Sequence, residues 1–463
     1  MAIIWNNLLN VLKSKKGLGI TFTRSAYDFA AFVDIVSSKI MEKRKIVRSF
    51  RKDHGKTKVA DITVDQMYRS MTGTETLVYE PSNIDPEKGI RYYNQTISEC
   101  WERLPKVDGG HQPLPEGMFH LLVTGDIPDK EQVKMLSKEW VERAVLPKHI
   151  CTMLNNFPCT LHPVSQFSCA ITALNNDSKL VKELHNVKRS DYWKIYLEDS
   201  MDLIAKAPSV AANIYRNIYK GGKGSLLIDP EADWAANFTT LLGLEGKESP
   251  EMMRMILTLL SDHGGGSLST HASQLVCSAL SDQYLCFAAA LNGLAGPRAG
   301  KACEDGCTFL MKMRDQLGEN PSEAEMRVYV YDFIKCGHRI PGYGHGILNN
   351  VDPRFLCEKE FATKNLPNDP LFKLALTLEK VAHPLLVEIG TVKCPWPNVY
   401  ALLGLVLNHY GLKETNFYPV IMGVSRCLGI AASSIWSRGM ILPIERPKSY
   451  STGSLMKMLG LPK

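Results

Sequence analysis

Apolar residues recur at intervals of three and four positions along most of this chain, the spacing that places them on one face of a helix. Several of these periodic segments begin with Asp, Ser or Pro, which suit the first turn of a helix. The alternation of apolar and polar residues that marks a half-buried strand is scarce. The pattern therefore predicts a mainly α fold, with helices over residues 63–71, 129–145, 200–219, 250–260, 269–291, 323–335, 370–381 and 419–437.

One apolar stretch approaches the length of a membrane-spanning helix. It covers residues 275–296 and is interrupted by Asp282, Gln283 and Asn292. A spanning helix needs about 20 predominantly apolar residues in succession. We therefore interpret the stretch as a buried helix and predict no membrane span.

The first 27 residues differ in composition from the rest of the chain. They contain Lys13, Lys15, Lys16 and Arg24, no Asp or Glu, and an apolar run over residues 3–12. A basic and partly apolar N-terminus without acidic residues is typical of a mitochondrial transit peptide. We expect residues 1–27 to direct the protein to the mitochondrial matrix. The alternative is an amphipathic helix that stays on the mature protein.

The charge of the remaining chain is close to balanced. The whole sequence has 54 basic and 48 acidic side chains; without residues 1–27, 50 basic and 48 acidic side chains remain, a net charge of +2. So small an excess gives no electrostatic reason to expect a nucleic-acid partner. The twelve cysteines are scattered, and the closest pair, Cys303 and Cys307, lacks a partner cluster at metal-ligand spacing. We expect reduced thiols and no metal site.

The clearest chemical pattern lies in the segment 341–354. It reads Pro-Gly-Tyr-Gly-His, with the histidine at position 345, and it places Arg354 nine residues later. Glycine lets a ligand approach the backbone, and a histidine on such a turn can exchange a proton near neutral pH. The arginine adds a fixed cation that suits a carboxylate. The segment indicates an anionic-substrate site; the alternative is a Gly/Pro turn with a surface histidine.

This segment and several others, in the same order along the chain, resemble the citrate synthase family, and most of all its eukaryotic mitochondrial branch. The segment from 341 carries the family's PGYGH turn and Asp-Pro-Arg tripeptide. The further matching blocks are His54-Gly-Lys, Leu114-Pro-Glu-Gly, Asn156-Phe-Pro, Asp262-His263, Asn292-Gly-Leu-Ala-Gly-Pro297, Pro395-Trp-Pro-Asn398, Gly423-Val-Ser-Arg426 and Glu445-Arg-Pro-Lys448.

The resemblance implies an architecture and an assembly. A chain of 463 residues can form one large or two medium domains. By resemblance, we expect a large helical domain over 28–301 and 411–463, with a small helical domain over 302–410 inserted into it and closing over the substrates. We also expect a homodimer joined through large-domain helices around a two-fold axis. A heterodimer with an active paralogue is an alternative.

The resemblance also implies a site for oxaloacetate, a dianion with a ketone. Arg354, Arg426 and Arg446 would hold the two carboxylates, His263 would contact the ligand, and His345 would hydrogen-bond and protonate the carbonyl oxygen. All five are the residue types that the family uses. One departure lies beside His263, where the family usually has glutamate and this chain has Gly264.

Two further departures fall on positions that activate the second substrate, acetyl-CoA. The family removes a proton from the acetyl methyl group with an aspartate, while a histidine donates a hydrogen bond to the thioester oxygen. The surrounding Gly-Pro and Pro-Trp-Pro-Asn blocks match without a gap, and these two positions hold Tyr400 and Ala299. Alanine offers no donor, and a phenol has a pKa near 10 against about 3.9 for Asp. We expect condensation to be impaired or lost.

The contacts expected for CoA are also weaker in charge. The family usually has a basic or hydrogen-bonding residue at Asn349 and commonly an arginine near Thr72, and neither residue here carries charge. Lys393, in a second region that the family uses for CoA, is retained. We expect no permanently bound cofactor, oxaloacetate or citrate as a ligand, and weak binding of acetyl-CoA.

Three functions remain open on the sequence alone. The first is a catalytically degenerate citrate synthase homologue that keeps an oxaloacetate or citrate pocket and serves a structural or regulatory role. The second is an active citrate synthase with an altered enolisation pair, in which Arg298 replaces the histidine and an ionised Tyr400 replaces the aspartate. Arg298 is adjacent to position 299 and adjacent side chains point in different directions, so the loop would have to move. The third is a citryl-thioester hydrolase or lyase, which needs no enolisation base.

Overall fold

The computed structural model describes residues 27–222, 227–390 and 392–461. The predicted transit peptide lies outside these ranges, apart from its last residue. In the first half of the chain the helices are α1 (Phe29–His54), α2 (Val64–Tyr68), α3 (Ile97–Arg103), α4 (Pro115–Thr124), α5 (Lys130–Arg143), α6 (Lys148–Asn156), α7 (Pro163–Ala173), α8 (Lys179–Glu183) and α9 (Tyr192–Tyr219).

The second half continues the helical pattern. Its α-helices are α10 (Trp234–Leu242), α11 (Ser249–Leu259), α12 (Leu268–Ser278), α13 (Gln283–Leu294), α14 (Lys301–Leu317), α15 (Glu323–Lys335), α16 (Pro353–Asn365), α17 (Pro370–Ile389), α18 (Leu403–His409), α19 (Tyr418–Gly439) and α20 (Thr452–Met458). Short 3-10 turns lie at Leu174–Asp177, Leu184–Asn186, Arg189–Asp191, Val399–Ala401 and Thr415–Phe417. The prediction of a mainly α fold is confirmed.

One small sheet interrupts the helices. Strands β1 (Ser82–Asp85), β2 (Gly89–Tyr92) and β3 (Gln95–Thr96) form an antiparallel sheet in the order β1-β2-β3. Ser82 pairs with Tyr92, and Arg91 pairs with Thr96. The sheet matters for function because β1 contacts the loop between α11 and α12, described below.

The predicted helices differ in how well their bounds hold. Helix α15 spans the predicted 323–335, and α5 begins after Asp129, whose side chain accepts from the backbone N–H of Gln132. The single helix predicted over 269–291 is wrong. The first helix ends at Ser278, and Asp282 starts a second one, because its carboxylate accepts from the N–H groups of Tyr284 and Leu285.

The centre of the fold is formed by two long helices, α9 and α19, which pack against each other. Every residue of α19 is buried. The segment Thr415–Gly439 is long and apolar enough to cross a membrane, but all of it is buried inside the protein, as expected for a core helix. One hydrophobic cluster runs through both predicted domains. The division at 302–410 therefore stays a prediction.

A buried ion-pair cluster on α11 gives a test of how this fold is stabilised. Arg254 donates to Asp233 at 2.6 Å and to Glu251 at 2.5 Å, and all three are largely buried. The variant Arg254→Ala would leave two buried carboxylates without their cation. We expect it to lower the free energy of unfolding by about 3–5 kcal/mol in a denaturant titration.

The matched control is an arginine whose ion pair lies in solvent. Arg69 is 66% exposed and lies 3.6 Å from Asp65. We expect Arg69→Ala to stay within about 0.5 kcal/mol of the wild-type protein. Equal effects of the two substitutions would contradict a stabilising role for the buried cluster.

Candidate active site

The loop between α11 and α12 is held against the core helix α19. Nε of Arg426 donates to the carbonyl oxygen of Leu260 at 3.0 Å, and the N–H of Gly429 donates to the next carbonyl at 3.0 Å. A Cβ at Gly429 would lie 2.6 Å from the Asp262 carboxyl group, so glycine is what lets the loop come this close. These contacts place the loop that carries His263 beside the helix that carries Arg426.

Asp262 fixes the same loop from the side of the sheet. Its carboxylate accepts from the hydroxyl groups of Ser82 at 2.6 Å and Tyr79 at 2.8 Å, and burial raises its pKa. The Ser82 hydroxyl in turn accepts from the N–H of Gly264 at 2.9 Å. Gly264 has a φ of +70°, in the left-handed region that favours glycine. Position 264, where the family usually has glutamate, therefore has a backbone conformation that glycine adopts without strain.

The turn that carries His345 is paired with the segment that leads to Tyr400. The N–H of Asn398 donates to the carbonyl of Gly342 at 2.8 Å, and its side-chain amide donates to the carbonyl of Gly344 at 2.7 Å. Gly342 has a φ of +80°, and a Cβ there would lie 2.6 Å from the backbone of the residue after Tyr400. The glycines of this turn therefore bring His345 and Tyr400 to the same region.

His345 is held in one tautomer by its own turn. Its Nδ1 accepts from the backbone N–H groups of Ile347 and Leu348, each at 3.0 Å. A ring nitrogen that accepts two such bonds carries no proton, so the neutral ring carries its proton on Nε2. Nε2 is therefore a hydrogen-bond donor.

Arg354 is fixed by Asp352, the residue that caps α16. The Asp352 carboxylate accepts from Nη2 of Arg354 at 2.7 Å and from its Nε at 3.1 Å. Asp352 and Arg354 are 1% and 3% exposed. Burial alone would raise the pKa of Asp352, but the guanidinium and its hydrogen bonds hold it below the usual value. The second terminal nitrogen of Arg354, Nη1, is buried without a hydrogen-bond partner among the described residues.

Four of the five predicted substrate-binding side chains come together. Nη2 of Arg354 lies 3.4 Å from Nε2 of His263, and the rings of His263 and His345 lie 5.8 Å apart. Burial lowers the pKa of His263 well below its usual value, and the cations of Arg354 and Arg426 act in the same direction. Burial and Arg354 also lower the pKa of His345. Two guanidinium groups and two neutral imidazoles can attract a small carboxylic acid and donate to its carbonyl oxygen.

Tyr400 lies near the same two arginines. The charges of Arg354 and Arg426 both act on its phenol, yet burial is the larger effect and raises its pKa above 10.0. The hydroxyl group has no hydrogen-bond partner in the part of the chain that the structure describes. At neutral pH the phenol is therefore un-ionised, and its O–H can donate a hydrogen bond.

Ala299 lies in the tight turn between α13 and α14. Its N–H donates to the carbonyl of Gly296 at 2.9 Å, and a Cβ on the neighbouring Gly300 would lie 2.6 Å from the carbonyl oxygen of Leu294. The side chain of Ala299 supplies a methyl group alone. Arg298, beside it, is exposed.

The structure does not place the other predicted residues in the pocket. Arg446 is exposed, and within the described ranges no hydrogen bond or ion pair joins it to the four side chains above. Its neighbour Glu445 pairs with His271 of α12 at 2.8 Å. Lys393 is exposed. Thr72 is also exposed and its hydroxyl donates back to the carbonyl of Arg69 at 2.8 Å.

Asn349 is engaged elsewhere. Its side-chain amide donates to the carboxylate of Glu87 at 2.6 Å, and Asn350 donates to the same carboxylate at 2.9 Å. The position that by resemblance would face a CoA phosphate therefore lies beside a negative charge. An anionic phosphate is repelled there unless Glu87 moves.

Sequence reasoning did not single out Asp352 or Glu358 as site residues. Asp352 could have been found as the Asp of the Asp-Pro-Arg tripeptide, since Asp followed by Pro is a common helix start. Glu358 lies four residues after Arg354 on α16 and is fully buried. Both of its carboxyl oxygens lack a hydrogen-bond partner among the described residues. No pattern in the sequence distinguishes such a carboxyl from a solvated one.

Within the described ranges no group of three or more His, Cys, Asp or Glu side chains could hold a metal ion, and the cysteines form no disulfide bond. The fold and the site together define a mainly helical protein with a cationic pocket that suits a small carboxylic acid.

Comparison with known proteins identifies its family. Residues 70–448 match the family model for the citrate synthase C-terminal domain. The chain is 52% identical over 427 residues to the probable mitochondrial citrate synthase of Glossina morsitans morsitans, covering 92% of each chain. It is 50% identical over 428 residues to the mitochondrial citrate synthase of Xiphias gladius, covering 92% of this chain and 91% of that one. The chain therefore belongs to the citrate synthase family.

Solved structures show the same fold at lower identity. Citrate synthase from Pyrobaculum aerophilum superposes with a TM-score of 0.72 at 24% identity, covering 83% of this chain and 92% of that one. Citrate synthase from Thermoplasma acidophilum superposes with a TM-score of 0.69 at 21% identity, covering 84% and 96%. The latter was solved in a ternary complex with carboxymethyl coenzyme A and oxaloacetate. The prediction of a citrate synthase fold is confirmed.

The buried carboxyl of Glu358 gives a pH-dependent prediction. Burial raises its pKa well above 4.5. Between the unfolded and folded pKa values the folded protein binds a proton that the unfolded chain does not, so stability falls as pH rises, by up to about 1.4 kcal/mol per pH unit. Glu358→Gln removes this titration. We expect the variant to be more stable than wild type at pH 8 and to lose that advantage toward pH 5, by denaturant titration at each pH.

Glu360 is the matched control because it is exposed on the same helix. The variant Glu360→Gln should follow the wild-type pH profile. A gain from Glu358→Gln that is the same at pH 5 and pH 8 would contradict a buried, protonated carboxyl.

Proposed function

We propose that this protein is a catalytically degenerate citrate synthase homologue that binds oxaloacetate or citrate and does not condense oxaloacetate with acetyl-CoA. The observation that carries the proposal is the contrast between two halves of one pocket. The half with Arg354, Arg426 and His345 has the groups that a keto-acid needs. The other half, which by resemblance would hold the thioester at positions 299 and 400, has an alanine and a phenol in place of the groups that deprotonate a thioester.

Ligand binding is supported by the unsatisfied donors. Nη1 of Arg354 is buried without a partner, and an unpaired buried donor is costly. Both Nη atoms of Arg426 also lack hydrogen-bond partners among the described residues, since its Nε alone is engaged, with Leu260. Carboxylate oxygens would satisfy these donors with charge-assisted hydrogen bonds. Nε2–H of His345 would then donate to the ketone or hydroxyl oxygen of the acid.

Loss of condensation is supported by the chemistry of Tyr400. A general base must be able to accept a proton at the working pH. Burial moves the pKa of this phenol further above 10.0, against the nearby cations. The same shift argues against the alternative of an active enzyme that uses an ionised Tyr400. A positioned acid or base supplies roughly 10²–10⁴-fold of rate, so the loss of both groups would be severe.

The surroundings of the pocket support weak binding of acetyl-CoA. Glu87 engages Asn349 at 2.6 Å, and Thr72 offers no charge. Of the positions expected to contact CoA, Lys393 keeps a positive charge. We propose a mitochondrial matrix location from residues 1–27 and from the mitochondrial relatives, and a homodimer by family resemblance. Arg446 would complete the carboxylate pocket only after a rearrangement or assembly that brings it to the other arginines.

Release of CoA thiol from acetyl-CoA and oxaloacetate tests the catalytic part. We expect no release above the rate without protein, because neither Ala299 nor an un-ionised Tyr400 can take the proton from the acetyl methyl group. Turnover within about tenfold of an ordinary family member would overturn the proposal. Thiol release from citryl-CoA without condensation would instead identify a hydrolase or lyase.

Calorimetry with oxaloacetate tests the binding part. We expect binding to the unmodified protein, and a loss of about 100-fold or more in Arg426→Ala, because a charge-assisted donor to the carboxylate is removed. An exposed arginine, Arg327, which pairs with Glu388 on the surface, supplies the control Arg327→Ala. Equal affinity in both variants would contradict the assignment of Arg426.

Repair of the missing groups tests the account of why the activity is lost. In the double variant Ala299→His with Tyr400→Asp, both enolisation groups return to a pocket whose cations are unchanged. We expect CoA release to rise by at least about 100-fold over the unmodified protein, with each single variant well below the double one. A double variant that folds, binds oxaloacetate and stays inactive would place the defect in the CoA site.

A further inference from the structure

We propose that Tyr400 makes the pocket selective for a tricarboxylic acid over the keto-dicarboxylic acid, so that the protein holds citrate more tightly than oxaloacetate. The inference rests on the carboxylate pocket proposed above and assigns Tyr400 a positive role in it. Tyr400 then determines which acid binds, in addition to being unable to act as the base.

The charge of the pocket favours a third carboxylate. The carboxylate that faces the guanidinium of Arg354, Asp352, is fully engaged by it. Glu358 is a buried carboxyl group whose pKa burial raises well above its usual value, and the Asp262 carboxylate is engaged by the hydroxyl groups of Ser82 and Tyr79. A neutral phenol at position 400 adds no negative charge beside Arg354 and Arg426. An aspartate at the same place, as in the family, would stand as a fixed anion in the pocket.

The chemistry of the two acids points to the same residue. Citrate is oxaloacetate extended at the ketone carbon by a CH2–COO⁻ arm; the new C–C bond replaces the C=O π bond, and the ketone oxygen gains a proton and becomes a hydroxyl. If the oxygen on that carbon accepts from Nε2–H of His345, the new arm begins beside that imidazole. The backbone bonds of Asn398 with Gly342 and Gly344 bring Tyr400 to this turn. The arm therefore begins on the side of the pocket where Tyr400 lies.

The hydroxyl group of Tyr400 is available to donate a hydrogen bond to the third carboxylate. That hydroxyl group has no hydrogen-bond partner among the described residues, and both pocket cations act on it. A phenol O–H donates readily to a carboxylate, whereas an aspartate carboxylate in its place would repel it. Oxaloacetate has no third carboxylate and gains nothing from Tyr400.

Calorimetry with citrate and with oxaloacetate, on the full chain at one pH and ionic strength, tests the inference through the ratio of the two dissociation constants. We expect citrate to bind about tenfold or more tightly than oxaloacetate, because a hydrogen bond to a charged group is worth at least that factor. Tyr400→Phe keeps the ring and removes the donor, so the preference should fall by about tenfold. Tyr400→Asp should reverse it, because the new anion repels the third carboxylate.

Tyr331→Phe is the matched control, since Tyr331 is an exposed tyrosine on α15, and its ratio should equal that of the wild-type protein. An equal or larger preference for citrate in Tyr400→Phe overturns the inference, as does wild-type protein that binds oxaloacetate at least as tightly as citrate. Both of these results leave the proposed function standing. Wild-type protein that binds neither acid overturns the proposed function and the inference together. If Tyr400→Asp fails to fold, the Phe variant alone decides.

Discussion

The ion pair between Asp352 and Arg354 is the interaction on which the rest of the site depends. The same carboxylate caps α16, holds two nitrogens of the guanidinium, and accepts from the backbone N–H of Val399 at 3.4 Å. It therefore ties the arginine to the segment that carries Tyr400. A pair this deeply buried is stable only when both partners are hydrogen-bonded. Asp352 satisfies one side of Arg354 and leaves Nη1 without a partner, which is the arrangement that a bound anion would complete.

The two halves of the pocket differ in how they are supported. The cations rest on helices α16 and α19, and the loop with His263 is held by contacts to both the core helix and strand β1. This support is typical of a binding site whose geometry is set before the ligand arrives. The positions that by resemblance would serve the acetyl group also lie in ordered backbone, because tight glycine turns lie beside Ala299 and His345. The proposed loss of condensation therefore rests on the side chains at positions 299 and 400.

The sequence predicted the helical class, helix α15 with its bounds and the start of α5, because periodicity and capping residues act locally. It failed over 269–291, where a capping aspartate divides one apolar run into two helices. Motifs singled out four residues that the structure brings near one another, since the family's spacing stands in for long-range contacts. Their role as a substrate site stays a prediction. The sequence could not predict that Ser82 donates a hydrogen bond to Asp262, 180 positions along the chain, or that Glu87 accepts one from Asn349. Those contacts depend on tertiary packing that no local pattern encodes.

We propose that this pocket binds an acid and does not make a carbon nucleophile. Exchange of the acetyl-CoA methyl protons with deuterium from solvent measures that step alone, with no need for a carbon–carbon bond to form. With saturating oxaloacetate or a non-reactive dicarboxylate analogue, we predict exchange no faster than in buffer without protein. Exchange that rises well above this background and is abolished when Tyr400 becomes phenylalanine would contradict the account, because it would show that the phenol acts as the base.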